Sequence, residues 1–198
     1  HPVGADLYFL PVQTRVPLKF GPETLTSVTC ARVCMTVADG AGRRARGWGE
    51  TPLSVQWTWP SGLSYQQRCD AMQDFCRTLA RAWAGFAGAG HPVEVGHAFI
   101  ESVLPGLLDD ANRRRGAEPM PWLAALVCCS TFDIALHDAY GWSVGRPVYE
   151  TYSAEYMNAD LSNFLSPAAG CRFSFAGRYP QDFFVPSARH LPAWHLVG

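Results

Sequence analysis

Residues whose types and spacing can do chemistry are few in this chain of 198 residues. Gly141-Trp142-Ser143-Val144-Gly145 fits G-x-S-x-G, the pattern of a serine nucleophile in acyl transfer. That chemistry needs a strand before the serine and a helix after it. Here a long apolar periodic segment precedes it and Arg146-Pro147 follows, so two glycines closing a helix explain the pattern better. Gly85-Phe86-Ala87-Gly88-Ala89-Gly90 has the glycine density of a phosphate cradle. Cradles follow a strand and open a helix, whereas this run closes one helix and reads as a linker. His91, Glu94 and His97 have helix-face spacing for a metal, but His91 precedes a proline and His97 lies on an apolar stripe. Satisfied core histidines are the better reading. Asp133 and His137, four apart, read as a hydrogen-bonding pair between elements.

A different kind of site is offered by two stretches read as loops, Arg15 to Gly21 and Glu50 to Trp59. They hold Arg15, Lys19, Phe20, Ser54, Gln56, Trp57 and Trp59. Aromatic walls with a few polar groups are what a small-molecule pocket uses. The competing reading is a pair of loops packed on their own domain.

The elements that must position these residues follow from periodicity. Asp6 to Leu10 reads as a strand ended by Pro11. From Thr24 to Val37 the residues Thr29, Ala31, Val33, Met35 and Val37 alternate onto one face, which marks a half-buried strand. Asp39-Gly40 signals a hairpin turn, and Ala45 to Glu50 is the returning strand. A helix opens at Ser64, where Ser64 and Gln67 form a capping box. Its apolar stripe is Cys69, Met72, Cys76, Leu79, Trp83 and Phe86. A second helix has Val93, His97, Ile100, Leu104 and Leu107 on one face, with Pro105 breaking or kinking it. A third runs from near Pro121 to Gly141, with Leu123, Leu126, Val127, Ser130, Ile134 and His137 as its stripe. After Gly145 the chain turns irregular and aromatic, and Leu191 to Val197 reads as one buried strand.

Composition bounds the class. Hydrophobic residues are 48% and charged residues 17%, with a net charge of -1, so no basic footprint for nucleic acid or an acidic membrane is present. Arg113-Arg114-Arg115 before Gly116 reads as a solvated helix end. The seven cysteines are odd in number and contain no C-x-x-C, and read as reduced, buried small hydrophobes of a cytoplasmic protein. No apolar run approaches about 18 residues, so neither a transmembrane helix nor a signal peptide is expected. Neither end looks like a natural terminus.

The two loops, in that order and followed by three helices, carry a resemblance. The matching residues are Pro17 to Gly21, then Arg32-Val33, then Gly47-Trp48-Gly49-Glu50-Thr51-Pro52-Leu53-Ser54. Phe132-Asp133-Ile134-Ala135-Leu136-His137-Asp138-Ala139-Tyr140-Gly141 and Gly145 to Tyr149 complete it. Over residues 5–152 the chain resembles the N-terminal capping domain of the enolase superfamily, in its mandelate racemase and muconate lactonizing enzyme branch. The resemblance implies an α+β fold, a three-stranded antiparallel meander followed by about three helices. It implies residues 1–150 as the cap and 151–198 as a linker and the first strand of an incomplete β/α barrel.

It further implies that Arg15, Lys19, Phe20, Ser54, Trp57 and Trp59 face the substrate. The family's paired lysines and metal carboxylates belong to the barrel, and this chain has a single lysine, Lys19. No catalytic residue, metal ligand or cofactor is therefore expected in the chain itself, and Mg²⁺ is implied only for a complete enzyme. The implied activity is proton abstraction alpha to the carboxylate of a small acid or acid sugar. The implied partners are that substrate, the missing barrel and further copies in a homo-oligomer. A free-standing binding or structural domain, and a hydrolase using Ser143, are the alternatives.

Overall fold

Alternation of apolar and polar residues along the second strand requires one face of a sheet to be covered, and the helices cover it. The computed structural model describes residues 1–20, 23–186, 188, 190, 192 and 193, without the side chains of Phe20 and Glu23. Strands β1 (Pro2–Phe20), β2 (Glu23–Ala38) and β3 (Arg44–Pro52) form an antiparallel sheet in that order. The expected meander is present, and Ala31, Val33, Met35 and Val37 of β2 are buried on its covered face. At the β2–β3 turn Asp39 Oδ1 accepts from the backbone N–H groups of Ala41 and Arg43, 2.9 Å each.

β1 is far longer than the expected Asp6–Leu10, and Arg15 to Phe20 is strand rather than loop. Pro11 and Pro17 do not end it, because β1 lies at the sheet edge and pairs only with β2. On an edge strand a residue without an N–H can face outward and cost no ladder bond.

Next come α1 (Val55–Thr58) and α2 (Tyr65–Ala84). The Ser64–Gln67 capping box forms, and Cys69, Met72, Cys76, Leu79 and Trp83 are buried as expected. The chain breaks between α3 (Pro92–Ser102) and α4 (Leu104–Arg115), where Pro105 predicted it. The buried face of α3 is not the expected one: Val95, Gly96 and Phe99 point inward. Phe99 stacks on Trp83 at 3.9 Å between ring centroids, and this anchor sets the helix rotation.

α5 (Trp122–Val144) corrects the sequence reading most. Leu123 and Ile134 of the expected stripe are 44% and 46% exposed, while Ala124, Ala125, Cys128, Phe132, Ala135 and Ala139 are buried. The reason lies on β3. A Cβ at Gly47 would sit 2.0 Å from Ala139 N, and one at Gly49 would sit 2.2 Å from Thr131 O. The helix backbone lies directly on the strand, so only small residues fit between them. The Thr131 hydroxyl lies within reach of the carbonyls of Ala31 (3.0 Å) and Gly49 (3.1 Å), and the Trp48 N–H donates to Asp138 Oδ2 at 2.7 Å. By length and composition α5 could cross a membrane, contrary to the expectation that no such segment exists. In the fold it packs on β2 and β3.

Beyond α5 the chain makes short 3-10 turns at Val148–Thr151, Leu161–Asn163 and Pro180–Phe183. The first two pack on the domain through Thr151, Met157 and Leu161, all buried. The strand read over 191–197 lies outside the described residues, apart from 192 and 193.

Candidate substrate-facing site

Cys30 of β2 pairs with Leu10 on one side and Pro52 on the other. Beyond that point β3 has ended, and β1 and β2 continue alone as a two-stranded ribbon to Phe20 and Glu23. At about 3.3 Å per residue the seven residues from Cys30 back to Glu23 carry the ribbon roughly 23 Å past the end of β3. Its ladder is irregular between Gln13 and Leu18, which pair with Ser27 and Leu25. Residues 14–17 thus bulge against Thr26 alone, and the Thr14 hydroxyl reaches the Thr26 carbonyl at 3.1 Å. Such a bulge bends and twists the strand that carries it. Arg15 sits in the bulge and Lys19 near the tip, both exposed.

The segment leaving β3 emerges at the same end of the sheet. Its Ser54 is half-buried, and the Ser54 carbonyl accepts from the Thr58 hydroxyl at 2.8 Å. Gln56 and the ribbon's return limb, Thr24 to Ser27, border a cleft of about 430 Å³ floored by Tyr65 and Arg68. Arg68 is buried and donates to the Trp59 carbonyl at 2.8 Å, which holds the α1 turn against α2.

The two tryptophans of this segment have separated. Trp57 is 53% exposed and is available as a wall. Trp59 is 1% exposed and belongs to the core, with the Arg115 guanidinium 4.8 Å from its ring. The competing reading of a loop packed on its own domain therefore describes Trp59. It also corrects the basic run: Arg115 covers Trp59 rather than standing free in water. The structure thus brings Gln56 and the return limb together, leaves Arg15 and Lys19 out on the ribbon, and removes Trp59 from any surface. The side chain of Phe20 is outside the described residues.

The other candidates resolve as structural parts. Ser143 is within α5 and its hydroxyl donates to the Tyr140 carbonyl at 2.9 Å; Gly145, at φ +69°, closes the helix. The serine lies inside a helix and not at a strand-to-helix turn, so it does not form a nucleophile elbow. His91 caps α3: its Nδ1 accepts from the Val93 N–H at 3.3 Å. Glu94 accepts from the backbone N–H groups of Asn158 (2.6 Å) and Ala159 (2.9 Å). His97 packs edge-on against Phe164, 5.1 Å between centroids. Among the described residues no group of three or more His, Cys, Asp or Glu is placed to hold a metal ion.

The Asp133–His137 pair, expected to hydrogen-bond between elements, joins α5 to Tyr152 just past the turn at Val148–Thr151 in a half-buried network. His137 Nδ1 and the Tyr152 hydroxyl are 2.6 Å apart, and His137 Nε2 is 3.8 Å from Asp133. Burial pushes the Asp133 carboxyl up and the His137 imidazole down, and pushes the Tyr152 phenol up to about 12. Tyr152 therefore stays a hydrogen-bond donor at neutral pH. The Asp133–His137 spacing was the one visible signal; nothing in the sequence pointed to Tyr152 as its partner.

No family model matches the chain, and no curated protein matches it. Among solved structures it is similar to the dipeptide epimerase of Enterococcus faecalis V583, complexed with Mg and the dipeptide L-Leu-L-Tyr, at 14% identity and a TM-score of 0.45. That match covers 77% of this chain and 34% of the epimerase. It is similar to the L-Ala-D/L-Glu epimerase of Bacillus subtilis, in a substrate-liganded complex, at 18% identity and a TM-score of 0.48, with the same coverage. It is also similar to an enolase from Bradyrhizobium complexed with magnesium and mandelic acid, at 19% identity and a TM-score of 0.45, over 75% of this chain and 33% of that one. In each case the chain spans about a third of the other protein's length.

Proposed function

We propose that the chain is the substrate-specificity cap of an enolase-superfamily enzyme of the mandelate racemase and muconate lactonizing enzyme branch. The observation that carries this reading is that two elements leave the same end of the sheet. The β1–β2 ribbon continues past Cys30 while β3 ends, and the segment from Thr51 to Trp59 emerges beside it. Loops held on a rigid sheet and helix scaffold are where binding residues are usually placed. Exposed Trp57 would wall the distal part of a substrate, and Lys19 or Arg15 would offer a charge to a polar or anionic group there. The proton transfer itself, alpha to a carboxylate, would fall to a barrel domain outside this chain.

Mg²⁺ would belong to that barrel and would supply positive charge for the acid chemistry there. Hard cations need several converging oxygen ligands. The chain's own part would be to bind, to orient and to exclude water. The test has two arms. The coding sequence beyond residue 198 should continue into a strand with two lysines one residue apart, and a stop codon there would favour a free-standing domain. The isolated chain titrated with Mg²⁺ in a calorimeter should give no stoichiometric micromolar binding. Such binding would refute the division of labour.

A further inference from the structure

The segment that follows α5 is tied to the domain by contacts that the proposed function does not use. His91 supplies the first. The Val93 N–H donates to Nδ1, so that nitrogen carries no hydrogen and the neutral ring is the Nε2–H tautomer. Nε2 lies 3.1 Å from the Thr151 oxygen, and the Thr151 hydroxyl donates its own hydrogen to the Val148 carbonyl at 2.6 Å. The His91 N–H therefore donates to Thr151. Both ring nitrogens are committed and the ring is 1% exposed. A second proton has to go on Nδ1, against the Val93 N–H and at the positive end of the α3 dipole.

Glu94 supplies the second contact. Its carboxylate accepts from Asn158 N, Asn158 Nδ2, Ala159 N and His91 N.

Among the groups facing His91, the Glu94 carboxylate on α3 favours a proton on the ring, but its pull is smaller than the opposing effect of burial. Glu94 is itself held by its four donors. On α5, Tyr140 is 5.0 Å and His137 6.4 Å from the ring, centroid to centroid. On the turn beyond α5, Tyr152 is 5.3 Å away. Asp133 faces His137 instead.

We propose that His91 and Glu94 form an acid-released latch: protonation of the His91 ring frees residues 148–163 from α3 and α5 while the sheet and α2 stay folded. Burial, with His137 adding to it, lowers the His91 proton affinity to about 4. Once the segment lifts, the ring meets water and returns towards its ordinary value near 6.5. The released state then binds the extra proton, so the latched state is fully favoured above about pH 6.5 and loses ground as pH falls towards 4. Glu94, held below the usual carboxylate range by its hydrogen bonds, lets go only at lower pH.

Hydrogen exchange of the whole chain, corrected for intrinsic rates, tests this. Between pH 7.5 and 4.5 protection over 148–163 should fall by roughly 50- to 100-fold, with β2 and α2 unchanged. His91→Asn keeps a neutral cap on α3 and cannot take up a proton. It should remove most of that pH-dependent loss. Nitrogen NMR of the wild-type imidazoles gives an independent reading should the variant fold poorly: His91 should be the Nε2–H tautomer at pH 7 and titrate well below its ordinary value. An unchanged pH slope in His91→Asn overturns the latch. So does an Nδ1–H tautomer, or protection over 148–163 that persists until β2 unfolds with it.

Discussion

Two tryptophans two residues apart now have opposite roles. Trp59 is enclosed by the core and Arg115, whereas Trp57 stands in solvent. Replacing Trp59 by alanine removes a large buried side chain and should cost about 3–5 kcal/mol in urea unfolding. Trp57→Ala should change stability by less than about 0.5 kcal/mol. In a complete enzyme Trp57→Ala or Lys19→Ala should lower kcat/KM by roughly 10- to 200-fold, with a larger loss for long substrates than for truncated ones. Equal losses for both would show that the ribbon and the α1 segment do not read the substrate. The cysteines divide by environment in the same way. Cys30, Cys34, Cys69, Cys76, Cys128 and Cys129 are buried, and Cys171 is exposed. Burial pushes the Cys129 thiol up to about 12. Thiolate is the reactive form, so a thiol reagent at pH 8 should modify Cys171 first in the native protein, with the others following only on unfolding. Rapid native labelling of Cys69, Cys76, Cys128 or Cys129 would contradict the packing of α2 and α5.

Among the elements, α5 and β3 are the pair on which the architecture depends. Gly47 and Gly49 let the helix backbone touch the strand. Gly49→Ala directs a methyl at the Thr131 carbonyl, a backbone atom that cannot swing aside. Overpacking of this kind costs about 1–3 kcal/mol or more. A drop in thermal midpoint without loss of the expressed fold is the expected result. Gly40, with open space around its Cβ position, serves as the control. The ribbon is a different case. Among its described residues Val16 and Leu18 are 64% and 45% exposed. Its strands are held by cross-strand pairing, and the bulge at residues 14–17 interrupts that pairing.

For the whole molecule, contacts cross the division expected at residue 150. A division at residue 150 leaves Met157 and Leu161 without the apolar surface they cover, and Glu94 without Asn158 and Ala159. Ending the chain at Tyr152 should therefore lower the thermal midpoint, on the order of 5 °C, relative to ending it at Phe164. If the two chains melt together, the segment from Ser153 to Asn163 contributes nothing to the domain. The exposed aromatics Phe173, Phe183 and Phe184 lie beyond this boundary, so the longer of the two chains still omits them.

The parts legible in the sequence are those set by local chemistry. The alternation of β2 needed only the two-residue repeat of a strand, and the start of α2 needed only the capping preference of Ser64 with Gln67. The break before Pro105 followed from a missing N–H. What tertiary structure decided are the features that depend on a distant neighbour. Whether Pro11 and Pro17 end a strand depends on whether that strand lies at an edge. Which face of α5 is buried depends on two glycines more than seventy residues earlier, which send Ala135 and Ala139 inward and leave Leu123 and Ile134 outward. Trp57 and Trp59 are the same residue type in one short segment, and the core and Arg115, on a helix far along the chain, separate the wall from the buried ring. His137 finds Tyr152 through a chain reversal after Gly145. Local propensity acts over a few residues, while burial is decided by what the rest of the chain brings alongside.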